Sequence, residues 1–496
     1  MKIKTPKNSI LLFILLLSGC FSAVYAQIDT TISGLKNANS ASPVTKNDYG
    51  LDSLPRDLDS KFIIRDIIFE GDNKTNEPIL LRELPFKEGD SIVLREIPTL
   101  FNIGKTQLMN LSLFHMVNLS VLQLDPPFID IKIIVKERWY IWPFPYFKPV
   151  DRNLNQWLFE KGAAVSRIDY GVKLLWDNIT GNNDKLRFYF ITGYTKQLSL
   201  GYQRPYIDKG MKWGMNVMVS LGKNHEVLYD TKFDKQQFVK TTDYLKNFFN
   251  ANLELTYRKK FYTTHYFGIG YQSARFGDTV FIMNPQYLKG AQHFLKYPMV
   301  YYRVRYQNLD YNAYPTRGYA GELYASKQGF NNDMNVWQLT AKGVGYWQLG
   351  KQSFYSIGAS GTVKAPFNQP YYNRQLLGYG DMFLHGYEYY VMDGVAGGIL
   401  TATLATRLTN FSFSIPKTKW FSPIPIPLKI YGKVFTNAGY AYDPNPSPAN
   451  RLSNRFLIGG GVGFDIFTGY DFTLKVELSI NHLGEKGIYL QKKDIF

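Results

Sequence analysis

Residues 471–481, DFTLKVELSIN, alternate apolar and polar side chains after the first aspartate. A polar residue follows each member of the apolar set, which is Phe472, Leu474, Val476, Leu478 and Ile480. A helix would scatter these charges around its whole surface, whereas a strand sends successive side chains to opposite faces. The stretch therefore predicts a β-strand with one apolar and one polar face.

The same alternation recurs from about residue 155 to the last residue, in segments of roughly ten residues such as 197–203, 355–364 and 400–408. A single segment of this kind is typical of a half-buried sheet in a soluble protein. About a dozen or more in series, rich in tyrosine and phenylalanine, indicate a transmembrane β-barrel. We therefore expect a mainly β protein.

The bulk composition fits an exported membrane protein. The 496 residues are 45% hydrophobic and 16% aromatic, yet the mean hydropathy is −0.23. Beyond the first two dozen residues there is no apolar run of about 18 residues, so spanning helices are not expected. A closed barrel is the other structure that satisfies every backbone N–H and C=O group within lipid.

The N-terminus has the pattern of an export signal, because Lys2, Lys4 and Lys7 precede an apolar segment at residues 10–17. Cleavage after Val24-Tyr25-Ala26 would make residues 1–26 the signal peptide. Alternatively, Leu17-Ser18-Gly19-Cys20 resembles a lipobox that would place a lipid on Cys20, the single cysteine. The first interpretation is favoured, since a barrel needs no lipid anchor to stay in its membrane.

The chain is basic, with a formal net charge of +17. No basic cluster with helix or zinc-finger spacing accompanies this charge, so nucleic acid is not an expected partner. We expect the lysines and arginines to line the lumen and rims of the barrel, near anionic lipid headgroups.

Three regions follow the predicted signal. Residues 27–60 are polar with little periodicity and indicate a flexible leader. Residues 61–138 predict a compact α/β unit, and residues 139–496 the barrel. In the α/β unit, a strand at 62–69, a helix containing Pro78, a second helix after Gly89-Asp90, and strands at 117–122 and 129–136 give the order β-α-α-β-β.

The sequence offers little sign of catalysis. The six histidines show no metal-binding spacing, and the glycine-rich stretch at residues 459–463 lies within a strand alternation rather than in a phosphate-binding loop. We therefore expect no enzymatic activity, no catalytic residues, no metal and no cofactor.

A β-α-α-β-β unit with the turn GDNKT at residues 71–75, followed directly by a barrel, resembles a POTRA domain joined to a barrel of the BamA/TamA superfamily. Within this resemblance Gly71 and Asn73 are the turn residues, and residues 177–182 and 310–318 are similar to family turns. Residues 377–398 resemble the long loop that folds into the lumen. Its Leu384-His385-Gly386-Tyr387 is similar to the family's Val-Arg-Gly-Phe/Tyr signature, and Phe496 to its aromatic C-terminal signal.

The resemblance implies a 16-stranded antiparallel transmembrane β-barrel with the lumen loop between strands eleven and twelve. Five strands then follow the loop, beginning near residues 396, 427, 455, 472 and 487. Eleven precede it, and the weakest candidate is the first, near residue 155. Outer loops are expected at 222–246 and 275–296, with a tight inner turn at 349–351.

Two positions depart from the family pattern. His385 stands where the family has arginine, and Asn437 stands where the barrel wall has a partner acid. Losing both members of a buried ion pair together avoids a stranded charge. We expect a neutral hydrogen bond between His385 and Asn437, or none, and a less firmly held loop; alternatively, His385 only fills space.

By resemblance, the expected function is assembly or translocation of proteins at the cell outer membrane. The POTRA domain would lie in the periplasm and capture unfolded outer-membrane or exported clients, and the barrel would guide them. Periplasmic accessory proteins and outer-membrane lipids are further expected partners. A passive or gated pore is the main alternative, and a receptor that uses outer loops is a third. A single POTRA domain favours a specialised accessory over a general insertase.

Overall fold

The computed structural model describes residues 59–71, 74–150, 157–158, 161–290, 292–380, 382–415, 424–469 and 471–491. The predicted signal peptide, Cys20 and nearly all of the predicted leader lie outside this part of the chain. The described residues form a small N-terminal α/β domain and a large antiparallel β-barrel. None of the described helices is long and apolar enough to cross a membrane.

The N-terminal domain is a four-stranded sheet with the order β2-β1-β4-β3, covered by two helices on one face. Its elements are β1 (Lys61–Glu70), α1 (Glu77–Leu81), β2 (Ser91–Val93), α2 (Ile97–Asn110), β3 (Phe114–Asp125) and β4 (Phe128–Glu137). Sequence predicted all of these except the three-residue strand β2, which is too short to show a periodicity. Strand β1 runs parallel to β4, and the other pairs are antiparallel.

The core of this domain comes from alternating strand residues and one face of α2. Phe101 and Leu108 of α2 and Ile129, Ile131 and Ile133 of β4 are at most 1% exposed. Burying a large aliphatic or aromatic side chain contributes about 1.5 to 3 kcal/mol. A proline in the first turn of α1 is tolerated because the N–H that it lacks has no partner within a helix.

The barrel is a 16-stranded antiparallel sheet in which the strand order follows the chain, so the predicted fold class is confirmed. Its strands are β5 (Ile141–Pro149), β6 (Ile168–Asp177), β7 (Lys185–Gly193), β8 (Thr195–Arg204), β9 (Trp213–Asn224), β12 (Lys246–Tyr257), β13 (Thr263–Phe276), β14 (Phe294–Leu309), β15 (Gly318–Gln328), β16 (Val336–Gln348), β17 (Ser353–Ala365), β20 (Ala396–Ile415), β21 (Ile424–Tyr442), β22 (Leu457–Thr468), β23 (Phe472–Asn481) and β24 (Lys486–Gln491). The connections contain a hairpin, β10 (Glu226–Lys232) and β11 (Lys235–Lys240), the helix α3 (Asp278–Met283) and the short strands β18 (Gln375–Leu377) and β19 (Met392–Asp393).

The two faces of the strands differ as the alternation predicted. In β23, Leu478 and Ile480 on the apolar face are 50% and 45% exposed, while Glu477 and Ser479 on the polar face are 0% and 2% exposed. The apolar side chains therefore point outward, where lipid would cover them, and the polar side chains point into the lumen.

The barrel has two distinct ends. The near mouth, which faces the N-terminal domain, carries the short turns at residues 178–184, 205–212, 258–262, 310–317, 349–352 and 469–471. The far mouth carries the longer loops, including the hairpin, α3 and the connection that follows β17. This distribution of long and short connections agrees with the sidedness expected from sequence.

The expected first strand near residue 155 is wrong, because the first barrel strand is β5, at Ile141–Pro149. Its sequence, IWPFPYFKP, contains three prolines, which normally argue against a strand. Val150 donates its N–H to the carbonyl of Arg167 on the β6 side, and Asp177 of β6 donates to Tyr140. Even-numbered residues of β5 therefore face β6. The three prolines, Pro143, Pro145 and Pro149, lie at odd positions. Their nitrogens therefore point away from β6, and the hydrogen bonds between β5 and β6 are kept.

Candidate functional site

The connection between β17 and β20 folds back into the lumen and carries the sequence-predicted motif. Leu384 is 2% exposed and packs among Ile399, Ala441 and Leu457. Gly386 has a φ of +88°, and a side chain there would lie 3.2 Å from the carbonyl of Ile480. A glycine is therefore favoured at this position for both backbone conformation and space.

The other two motif residues bind the barrel wall through hydrogen bonds. Nδ1 of His385 lies 2.7 Å from Oε2 of Glu477 in β23. The hydroxyl of Tyr387 donates to the carbonyl of Ile458, at 3.0 Å, and also contacts His482. Nδ2 of Asn481 donates a further hydrogen bond to the carbonyl of Gly386, at 2.7 Å. The loop is thus fixed to β22 and β23 of the barrel.

Glu477 is the centre of a buried charge network. Besides His385, it contacts Nζ of Lys433 through Oε1 at 2.6 Å, and the same ammonium lies 2.7 Å from Oδ1 of Asp465. The hydroxyl of Tyr314 donates to Oδ2 of Asp465 at 3.0 Å. These contacts compensate for burying the three charged side chains of Lys433, Asp465 and Glu477.

A neutral hydrogen bond joins His385 and Asn437, as one of the expected alternatives stated, but it involves the backbone of His385 and not its imidazole. Nδ2 of Asn437 donates to the backbone carbonyl of His385 at 3.3 Å, while the imidazole turns toward Glu477. The loop therefore keeps a contact with a wall carboxylate although the family's arginine is absent. Sequence missed this acid because it lies on β23, two strands beyond Asn437.

Three potential metal ligands come together at this site, although the sequence showed no metal-binding spacing. One ligand atom from each of His385, Glu388 and Glu477 lies within 4.8 Å of the others. The imidazole and the Glu477 carboxylate already bond to each other, and Lys433 places a positive charge on the same carboxylate. The donor set is therefore arranged as a hydrogen-bonded network rather than as a coordination shell.

The predicted POTRA turn lies next to the near mouth. Gly71 has a φ of +90°, and a Cβ at this residue would be 2.2 Å from the carbonyl oxygen of Val135, so only glycine fits. Asn73 is not among the residues that the structure describes, and neither is Phe496. Beside the turn, Thr75 donates to Glu137 and accepts from Nδ2 of Asn178 at 2.9 Å.

A second contact between the domains is a buried carboxylate. Glu83, two residues after α1, is 1% exposed and accepts hydrogen bonds from both terminal nitrogens of Arg258 at 2.6 and 2.9 Å. The hydroxyl of Tyr206 donates to the same carboxylate at 3.0 Å. Burial, together with the nearby Glu83 charge, raises the pKa of Tyr206 to about 12, so the phenol remains a donor.

A third contact joins the end of β4 to the turn before β23. Arg138 bonds to both carboxylate oxygens of Asp471, at 2.8 and 3.3 Å. Ser112 donates to Asp471 at 3.2 Å, and Tyr311 also contacts this carboxylate. The three contacts lie on different turns, so the domain is held across the near mouth. Sequence could not pair these residues, since the partners are 103 to 359 positions apart.

The hairpin β10–β11 crosses the far mouth. Its tip, Phe233 and Asp234, has φ values of 55° and 57°, which form a tight turn between the two strands. The Asp234 carboxylate accepts the N–H groups of Arg451 and Leu452 at 2.9 and 3.0 Å. These two residues belong to the loop between β21 and β22, eight strands away around the barrel. Val391 of the lumen loop donates to the carbonyl of Asp234, so all three segments form one cap.

Comparison with known families identifies both parts. Residues 178–470 match the family described as Omp85 superfamily domain, and residues 62–138 match POTRA, described as surface antigen variable number repeat. The chain belongs to the Omp85 superfamily. The resemblance to BamA/TamA proteins is therefore confirmed, and this Omp85 chain is an outer-membrane protein with a single POTRA domain.

Two solved structures share the Omp85 fold. BamA from Haemophilus ducreyi lacking POTRA domains 1–3 is 14% identical, with 87% of this chain and 83% of that chain covered and a TM-score of 0.50. CdiB from Escherichia coli is 13% identical, with 87% and 74% covered and a TM-score of 0.51. At these identities the similarity shows the fold alone. No curated protein sequence matches the chain.

Proposed function

We propose that this Omp85 protein inserts or exports client proteins at the outer membrane, with its POTRA domain in the periplasm. The observation that carries this proposal is the attachment of the POTRA domain to three separate turns of the near mouth. A client held by the domain is thereby presented directly to the barrel. The residues act by binding and positioning, and no catalytic role is assigned to them.

The edge strand β3 is the proposed client site. It ends the sheet order β2-β1-β4-β3, so an extended chain can add beside it through backbone hydrogen bonds. Met116 and Leu122 on this strand are 51% and 50% exposed, which is unusual for large apolar side chains. They offer apolar contact to alternate residues of an incoming strand. Unfolded outer-membrane or exported proteins fit this chemistry, and a periplasmic accessory protein would deliver them.

Site-specific photocrosslinking in cells tests the client site. A photoreactive residue at Met116 or Leu122 should capture unfolded outer-membrane or exported proteins, while the same group at the exposed Lys87, on the other side of the domain, should not. Equal capture at all three positions, or none at Met116 and Leu122, would refute β3 as the client edge.

Deletion of residues 61–138 separates assembly from the alternative of a pore. Loss of particular proteins from the outer membrane is the expected result, because clients would lose their capture site. An unchanged outer-membrane composition with retained conductance would instead support a passive pore. The pore has less structural support, since the POTRA domain lies across the near mouth and the lumen loop occupies the interior.

A further inference from the structure

A cavity in the lumen lies at the far end, beneath the hairpin, and is separate from the His385 network. Its volume is about 580 Å³, within the range of small-molecule sites. It is lined by the ends of β6, β9, β12 and β17 and by residues that begin the lumen loop. Three of the lining residues are proposed to contact a ligand: Asn224, Lys246 and Lys364.

The lining carries more positive than negative charge. Four basic residues, Lys148, Arg167, Lys246 and Lys364, face two acids, Asp169 and Glu226. Among the residues that the structure describes, Arg167 is the one of these four in a close ion pair, with Nη1 at 3.0 and 2.7 Å from the two carboxylate oxygens of Glu226. The excess of two positive charges in a polar cavity favours an anionic ligand.

Lys246 and Lys364 are the cations available to such a ligand. Nζ of Lys246 lies 5.8 and 5.7 Å from the ring centres of Phe248 and Phe276, and among the described residues no carboxylate lies within 4.0 Å of it. Nζ of Lys364 donates to the carbonyls of Asn373 and Gln375, at 2.8 and 2.7 Å, which leaves its third N–H for a ligand.

An acceptor without a donor lies beside Lys246. The Oδ1 atom of Asn224 is buried and accepts no hydrogen bond from the described residues. Asn224 and Lys246 are directly paired between β9 and β12, which places their Cβ atoms about 5 Å apart on one face. A buried acceptor is costly to leave unsatisfied, so the ligand should bring a hydroxyl donor next to its anionic group.

We propose that this chamber binds a phosphorylated sugar. The phosphate lies between Lys246 and Lys364, and a sugar hydroxyl donates to Oδ1 of Asn224. This site is distinct from the client edge on the POTRA domain, and the ligand chemistry is the same whether the sugar is soluble or is the headgroup of a glycolipid.

Isothermal titration of the full-length protein in detergent with glucose 6-phosphate tests the site. Saturable binding is expected for the unaltered protein, with glucose binding at least tenfold more weakly. Lys246→Gln and Lys364→Gln should each weaken glucose 6-phosphate binding at least tenfold, because each substitution removes an ammonium group that faces the phosphate. Lys351→Gln, in a near-mouth turn, serves as the matched control and should bind as the unaltered protein does.

Asn224→Leu provides an independent readout of the hydroxyl contact. It should weaken glucose 6-phosphate binding while leaving inorganic phosphate binding unchanged, whereas equal loss of both would refute the role of Asn224. Absence of saturable binding to the unaltered protein, or equal binding by the Lys246 and Lys351 variants, would overturn the site. Unchanged heat-dependent gel mobility establishes that each variant is folded.

A second arm identifies the source of the sugar. The titration is repeated in phosphatidylcholine nanodiscs with and without lipid A, a phosphorylated glycolipid. Competition by lipid A assigns the site to a glycolipid headgroup, and unchanged glucose 6-phosphate binding assigns it to a soluble sugar phosphate. No client is present in either arm, so failure here leaves the proposed assembly function to be judged separately.

Discussion

Glu477 shows how a single side chain couples the lumen loop to the barrel wall. His385→Ala removes the hydrogen bond at 2.7 Å while leaving the Lys433 contact to the same carboxylate. A hydrogen bond to a charged group contributes about 1.5 to 3 kcal/mol, so we expect faster amide exchange over residues 384–387. Asn437→Ala, which removes only a 3.3 Å bond to a carbonyl, should have a smaller effect. Hydrogen exchange with mass spectrometry measures both, and equal exchange in the His385 variant and the unaltered protein would contradict the assignment.

His115 makes the stability of the POTRA domain depend on pH. Burial and the neighbouring Arg138 and Lys136 charges lower the pKa of His115 to about 4. The unfolded ring, with a pKa of about 6.5, therefore takes up a proton first. Stability should fall as pH drops from about 6.5 to about 4, by about 1 to 2 kcal/mol because solvent screens the half-buried ring.

The expected signature is a difference between two proteins. Between pH 7 and pH 4, the free energy of unfolding measured in urea should fall by about 1 to 2 kcal/mol more for the unaltered protein than for His115→Gln. The comparison cancels the titration of all other groups. Identical losses in the two proteins would show that the ring has the same pKa in the folded and unfolded states.

The sequence of strand β5 determines which backbone N–H donors are present along one edge of the barrel sheet. Pro143, Pro145 and Pro149 lack an N–H on the edge that faces away from β6, so this edge is a poor partner for another strand. Replacing Pro143 and Pro145 together with valine restores two donors on that edge. β24 is the other end of the sheet order and, among the described residues, pairs with β23 and not with β5, so we expect new pairing across this edge and slower amide exchange in β24 at Lys486–Gln491.

The control for this prediction is Phe144→Val, because the N–H of residue 144 already faces β6 and no donor is added. Hydrogen exchange of the peptide covering β24 distinguishes the two variants. If exchange slows equally in both, the effect comes from side-chain replacement, and the missing donors are not what keeps this edge open.

At the level of elements, the alternation of apolar and polar residues decides which strands could be predicted from the sequence. The strands with clean alternation, such as β8 and β23, were located from sequence within a few residues. Strand β5 was missed because its prolines mimic a loop, and their tolerance depends on which edge faces β6. Strand β2 is too short to show a period. The motif residues at 384–387 were located by resemblance. Their contact with Glu477 could not be predicted, because it depends on how the barrel curves, and spacing along the chain does not encode that curvature.

At the scale of the whole molecule, both ends of the barrel are covered by the chain itself. The POTRA domain is attached across the near mouth through Glu83, Arg138 and Thr75, and the hairpin crosses the far mouth through Asp234. A client or solute that enters from the far side must displace the hairpin, and one that enters from the near side must pass the POTRA domain. The hairpin is the smaller barrier, because its tip is held by a few hydrogen bonds, whereas the POTRA domain has three separate attachments.

Asp234→Ala should therefore open the far mouth. The substitution removes the carboxylate that accepts the N–H groups of Arg451 and Leu452, so the hairpin tip is held on the opposite side of the barrel only by its backbone contacts with Asn450 and Val391. Two such charge-assisted bonds contribute about 3 kcal/mol together, enough to shift a closed state toward the open one by about a hundredfold. Planar-bilayer recordings should show more frequent openings than for the unaltered protein. The exposed Asp243, in the same loop, gives the control Asp243→Ala, and matching conductance in the two variants would show that Asp234 does not hold the hairpin closed.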